Sequence, residues 1–133
     1  MIFVDSSFWI ALRNRRDPRA QDAAALLGLH ANESLVTSSQ VRGETWTFLR
    51  RRAGHGSAVS FLDLLEHTPR VRVEFVDEKL EREALRWLRR HDERPYSFVD
   101  ATSFALMKRL RIKEALAFDG DFAAAGFIEL RVP

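Results

Sequence analysis

Ile2-Phe3-Val4-Asp5-Ser6-Ser7 puts three apolar residues ahead of three that cap helices. That order reads as a short buried strand running into a helix, here from Phe8 to about Asn14. Ala115-Leu116-Ala117-Phe118-Asp119 repeats the arrangement near the other end of the chain, an apolar strand stopped by an aspartate. Working inward, Asp17-Pro18 starts a helix that carries Ala23, Ala24 and Leu27 on its inner stripe to about His30. Leu35-Val36-Thr37 is a second strand, and Ser38 or Ser39 caps a helix that puts Val41, Glu44, Thr45 and Phe48 on one face before Gly54 and Gly56 break it. Ser57 caps the next helix, whose inward positions are Ala58, Phe61, Leu62 and Leu65, and Thr68-Pro69 ends it. Val71, Val73 and Phe75 alternate with Arg72 and Glu74, the pattern of a half-exposed strand at a sheet edge. Asp77 caps a helix with Leu80, Ala84, Trp87 and Leu88 inward to about His91, Ser97 opens another to about Leu110, and Ile128 to Val132 form a last strand. Strands alternating with helices imply right-handed crossovers and a parallel sheet of four to five strands inside a three-layer α/β/α sandwich. With no repeat or linker in sight, one domain over residues 1–133 is expected.

The composition narrows the chemistry. A chain of 133 residues, 46% hydrophobic, can bury a core. It has no cysteine, so a metal would need oxygen ligands or the four histidines, which favours hard ions such as magnesium or manganese. No stretch is apolar for the length of a bilayer, and the N-terminus reaches Asp5 before a signal-peptide pattern develops, so a cytoplasmic protein without a membrane partner is expected. The net charge is only +2, yet 18 of the 21 cations are arginine, the residue suited to bidentate phosphate contact. An arginine bias that merely solvates helix faces accounts for the same numbers, so charge alone points only weakly to nucleic acid.

Acids carry the stronger signal. Asp5 and Asp119 each end an apolar strand at its carboxyl end, the edge where ligands bind in doubly wound sheets. Either one alone is better explained as a helix cap, since caps are common and sites are few. Glu44 lies on the apolar face of its own helix and needs a partner; Arg42 and Arg50 do not share that face. Asp100 sits in the first turn of its helix, where the dipole alone would favour an acid, and Asp121 follows in a turn. His30, His55, His67 and His91 fall near helix ends and form no ligand set by spacing, and Trp9, Trp46 and Trp87 have the neighbours of core residues. The Gly54-His55-Gly56 segment follows a helix rather than a strand, which excludes a nucleotide-binding loop.

Four segments taken together resemble the PIN-domain nucleases, and in particular the VapC-type toxins of prokaryotic toxin–antitoxin pairs. They are Phe3-Val4-Asp5-Ser6-Ser7-Phe8-Trp9, Ser38-Ser39-Gln40-Val41-Arg42-Gly43-Glu44, Ser97-Phe98-Val99-Asp100-Ala101 and Ala117-Phe118-Asp119-Gly120-Asp121-Phe122, in the family's order. The resemblance implies that Asp5, Asp100 and Asp119 bind Mg2+ or Mn2+, that Glu44 completes the catalytic cluster, and that Ser7, Ser97 and Asp121 support it, with either Asp119 or Asp121 as the fourth acid. It implies an endoribonuclease that hydrolyses RNA, a cognate antitoxin protein as partner, and a homodimer. Arg13, Arg42 and Arg50 are the candidates for positioning the RNA backbone. Two other readings use the same residues: a non-catalytic RNA- or protein-binding module on this fold, and a hydrolase or phosphatase with Asp5 as covalent nucleophile. Ser7 stands where such an enzyme has its second aspartate.

Overall fold

The computed structural model describes residues 1–133. In chain order the elements are β1 (Ile2–Val4), α1 (Ser6–Arg13), α2 (Ala20–Leu29), β2 (Leu35–Ser38), α3 (Ser39–Arg52) and α4 (His55–His67). They continue with β3 (Val71–Glu74), α5 (Glu78–Arg90), α6 (Phe98–Leu110), β4 (Glu114–Leu116), α7 (Asp121–Ala124) and β5 (Ile128–Glu129). The five strands are all parallel, in the order β3-β2-β1-β4-β5. β1 is therefore the centre of the sheet, with Phe3 opposite Val36 on one side and Ala115 on the other. Its three residues are wholly buried, as their unbroken apolar run requires.

Right-handed crossovers place α1 to α4 on one face and α5 to α7 on the other. Packing agrees, with α1 against α2 and α3, α3 against α4, and α5 against α6. The three-layer α/β/α sandwich with a parallel sheet expected from the sequence is borne out. The edge reading of β3 holds as well, for β3 pairs only with β2.

Capping fixes where the helices begin. Asp5 accepts from the Ser7 amide at α1, Ser38 from Val41 at α3, and Asp77 from Leu80 at α5. At α6 Ser97 and Asp100 form a reciprocal capping box. Because Asp5 is the cap, α1 starts at Ser6 rather than Phe8. Asp17 and Pro18 do not open α2: the Asp17 carboxylate accepts from the Arg19 amide in a turn, and the helix begins at Ala20. α4 starts at His55 rather than after Ser57, because Gly54 takes a positive φ of 95° and turns α3 directly into the next helix.

Strand ends differ for a related reason. β4 spans Glu114–Leu116 rather than Ala115 to Phe118, because the Asp5 amide makes the last rung to the Leu116 carbonyl at 3.0 Å before the chain turns into α1. The Phe118 amide then donates to the Ser7 hydroxyl, at 3.0 Å. β3 stops at Glu74, since the Val76 amide turns to the Ser39 hydroxyl, and β5 ends at Glu129, where the Arg131 guanidinium takes the Ala117 carbonyl in place of a ladder bond. The single turn α7 is too short to leave a periodic signal.

Thr37, fully buried on β2, donates to the Val4 carbonyl at 2.8 Å and accepts from the Trp9 indole at 3.3 Å, tying β2, β1 and α1 together. Thr37→Val keeps the shape but strands both partners, so it should cost about 2 kcal/mol. A urea titration checks this: the midpoint should fall with the slope unchanged, and an unmoved midpoint would refute the role assigned to Thr37.

Candidate active site

Three carboxylates, those of Asp100, Asp119 and Asp121, offer oxygen atoms that all lie within 4.8 Å of one another at the carboxyl edge of the sheet. Asp119 and Asp121 reach it from the turn after β4, and Gly120 between them has a φ of 84°. A side chain at 120 would also meet the Arg94 guanidinium at 3.3 Å. Asp100 reaches it from the first turn of α6, where its carboxylate accepts from the Ser97 amide at 3.0 Å and its own amide donates to the Ser97 hydroxyl at 2.9 Å. α6 thus begins where it does because of the same residue that faces the cluster.

Asp5 adjoins this triplet from the end of β1. It is 1% exposed; its Oδ2 accepts from the Ser7 amide at 3.1 Å and the Ser7 hydroxyl at 2.8 Å, while its buried Oδ1 has no partner at all. Burial pushes the Asp5 carboxyl up to about 7, and the charges of Asp119 and Asp100 push the same way against the Ser7 hydrogen bonds. Burial also raises Asp100 to about 6, helped by Asp119 and Asp121. Asp119 is raised too, by desolvation on its protein side and by Asp121 and Glu129, although its residue stands exposed at the rim.

Only Asp121 has a cation of its own. The Arg94 Nε lies 2.9 Å from its Oδ1, and the same guanidinium bonds the Asp119 carbonyl at 3.3 Å. Asp119, by contrast, accepts only from the Asp121 amide, at 3.2 Å. Glu44 stands outside the triplet, half-buried on α3, and the partner its position demanded is the Ser6 hydroxyl, which donates to Oε1. It lines a hollow with Gly43, Phe48, Arg51 and Val99, the last being the neighbour of Asp100.

Of the three arginines singled out from the sequence, none lines that hollow. Arg42 lies over the Phe75 ring and beside Leu62, Leu65 and Val73, turned toward α4 and β3. Arg50 is exposed, and Arg13 bonds Ser60 in a separate cavity. Arg51 and Arg52 line the hollow instead. Sequence reasoning also passed over Ser6 and Arg94. The run Asp5-Ser6-Ser7 hinted at the first, since two successive serines on a helix point to different sides. Arg94, in the loop before α6, carried no signal.

The donor set suits a divalent cation. The orphaned, buried Oδ1 of Asp5 lacks the partner that a buried acceptor requires. Oxygen-only donors held this close fit magnesium or manganese, and a cation there would offset both the burial and the mutual repulsion that raise Asp5 and Asp100.

Comparison with known proteins identifies the chain's relatives. A sequence model described as the PIN domain matches residues 2–128. A protein named 23S rRNA-specific endonuclease VapC20, from two strains of Mycobacterium tuberculosis, is 54% identical over 131 residues, covering 98% of each chain. The crystal structure of Mycobacterium tuberculosis VapC20, a sarcin-ricin loop cleaving toxin, superposes with a TM-score of 0.93 at 52% identity over 99% of this chain and 100% of the other.

The raised carboxyls set a pH dependence. Asp5 and Asp100 keep their protons to about 7 and about 6 when folded, against 3.8 ordinarily, so the folded chain binds more protons than the unfolded chain between those values. Stability of the metal-free protein should therefore fall as pH rises through that window. Asp5→Asn removes the larger share and should flatten the loss between roughly pH 5 and 7.5 by about 2 kcal/mol. Chemical denaturation at the two pH values checks it; identical pH slopes for parent and variant would show that Asp5 titrates normally.

Proposed function

The chain belongs to the PIN-domain family, and on that premise we propose that it is a magnesium- or manganese-dependent endoribonuclease, a single domain over residues 1–133, acting as the toxin of a toxin–antitoxin module. The observation that carries the reading is the cluster of Asp100, Asp119 and Asp121 beside the unpartnered Oδ1 of Asp5. Asp5, Asp100 and Asp119 are the residues that would hold the cation. Asp119 is preferred to Asp121 because Arg94 already balances Asp121 and its neighbour has no countercharge.

A divalent cation held by Asp5, Asp100 and Asp119 would supply charge neutralisation for the phosphodiester and would acidify a water molecule. The chain's own residues do the positioning. Ser7 locks the Asp5 carboxylate and the capping box locks Asp100, so both point at the site before RNA arrives. Ser6 holds Glu44 by Oε1 and leaves Oε2 free to accept a hydrogen bond from water in the hollow. Water attacks phosphorus in line and the 3′-oxygen departs, leaving 5′-phosphate and 3′-hydroxyl ends; no side chain becomes covalently attached.

The substrate follows from the relatives, whose names specify 23S rRNA and its sarcin–ricin loop; at 54% identity over nearly the whole chain, we assign the same loop here. A cognate antitoxin and a homodimer are proposed on the family's account. No helix is long and apolar enough to cross a membrane, which suits a cytoplasmic target.

An RNA hairpin carrying the sarcin–ricin loop tests the assignment. The parent should cut it with manganese and stop in excess EDTA; cleavage that survives the chelator would sink the metal mechanism. Asp100→Asn keeps the capping geometry, so it should cost no more than about 1 kcal/mol of stability. Its activity should drop by more than the roughly 10- to 100-fold typical of a group one step removed from a metal. A variant that melts early yet cuts at the parent's rate would make Asp100 structural.

A further inference from the structure

A second concave site lies away from the carboxylates, where the end of α1 meets the junction of α3 and α4. It is a cavity of about 650 Å³ lined by Arg13, Arg15, Arg16, Arg52, Ser57 and Ser60, with no acidic residue in its wall. None of the four guanidinium groups has a carboxylate partner; the ion pairs of the molecule involve other arginines. Two of the four are held in place, Arg13 by the Ser60 hydroxyl and Arg52 by the face of Phe48, 5.5 Å from the ring centroid. Four like charges converging on one hollow repel unless an anion joins them. α4 adds to the field, since Gly56 and Ser57 of its first turn line the cavity and no side chain caps that helix.

The cavity shares one wall residue with the hollow that Glu44 lines. Arg52 lines both, and the hollow beside Glu44 includes Val99, Phe48, Arg51 and that shared residue. From Glu44 to Arg52 is about 12 Å along α3, the reach of a few nucleotides of RNA. We propose that the arginine cavity is a second binding site, for a backbone phosphate of the RNA a few nucleotides from the bond that is cut. The proposal rests on the ribonuclease reading of the carboxylate site. It makes Arg15 and Arg16, which no motif marked, substrate-gripping residues, with Arg52 as the link between grip and scission. Forked guanidinium groups beside open helix-terminal amides match a phosphate's several oxygens, and a chain already threaded past Glu44 leads its next phosphates here.

The test reads binding apart from cleavage. Fluorescence anisotropy of a labelled single-stranded RNA in EDTA, over a range of salt, compares the parent with an Arg15→Gln, Arg16→Gln double variant. A control variant, Arg82→Gln with Arg89→Gln, removes the same charge from the exposed face of α5, and melting curves confirm that all three proteins are folded. Loss of two phosphate contacts should lower the slope of log affinity against log salt by about 1.4. The control should leave it near the parent's value, and the penalty should fall away as the RNA is shortened toward the cleavage site. Equal slopes for parent and double variant overturn the proposal. So does an equal drop in the control, which would make the effect bulk charge, or an undiminished penalty on the shortest RNA. If RNA binding is intact but binding of a polyglutamate peptide is lost, the cavity serves a protein's carboxylates and the proposal is again wrong. A parent that binds RNA with the expected salt slope but never cuts it with manganese refutes the ribonuclease reading and leaves the phosphate site standing.

Discussion

The Ser7 hydroxyl joins two ends of the chain, accepting from the Phe118 amide at 3.0 Å across 111 residues while donating to the Asp5 carboxylate at 2.8 Å. It occupies the point where β1 and β4 have run out of ladder bonds and must separate, β1 into α1 and β4 toward the Asp119 turn. Because β1 is central and β4 its immediate neighbour, Asp5 and the Asp119 turn are brought within range of each other by backbone pairing, not by side-chain attraction, and Asp100 joins them from the first turn of α6. The sheet overrides a repulsion that the side chains alone would relieve by moving apart.

What holds each acid in that unfavourable company is local and separate. Asp5 is held by its own cap geometry, Asp100 by reciprocal bonds with Ser97, Asp121 by Arg94, and Glu44 by Ser6. Each anchor satisfies one oxygen or one charge and leaves the remainder of the group available, the aspartates to the cluster and Glu44 to the hollow beside it. Capping and coordination are thus not competing explanations for these residues. The cap spends one oxygen of Asp5 on the helix and leaves the other, Oδ1, bare.

The fold was legible because its signals are short-range. Apolar runs such as Ile2 to Val4, the alternation in Val71 to Phe75, and the caps at Asp77 and Ser97 each reflect physics within a few residues. Boundaries shifted where a distant partner intervened, as at β4, shortened because Ser7 takes the Phe118 amide. The acids were visible one at a time, and the family resemblance grouped them; the supporting cast was not visible. Ser6 and Arg94 act on residues 38 and 27 positions away, and nothing in their neighbours reveals the direction in which they point. The arginines were hard to rank for the opposite reason. With 18 to choose from, position along the chain could not separate Arg52, at the joint of two hollows, from Arg42, folded over Phe75.

Asp100 is both the third residue of a capping box and a wall of the acidic cluster. The two roles ask for different things: the helix needs an oxygen, while the cluster needs a negative charge. An amide satisfies the first and abolishes the second. In a lineage released from selection for chemistry, a change from acid to amide at this position would pass unnoticed by the architecture. Descent would then leave intact but silent copies, still shaped to occupy whatever the active ancestor had bound.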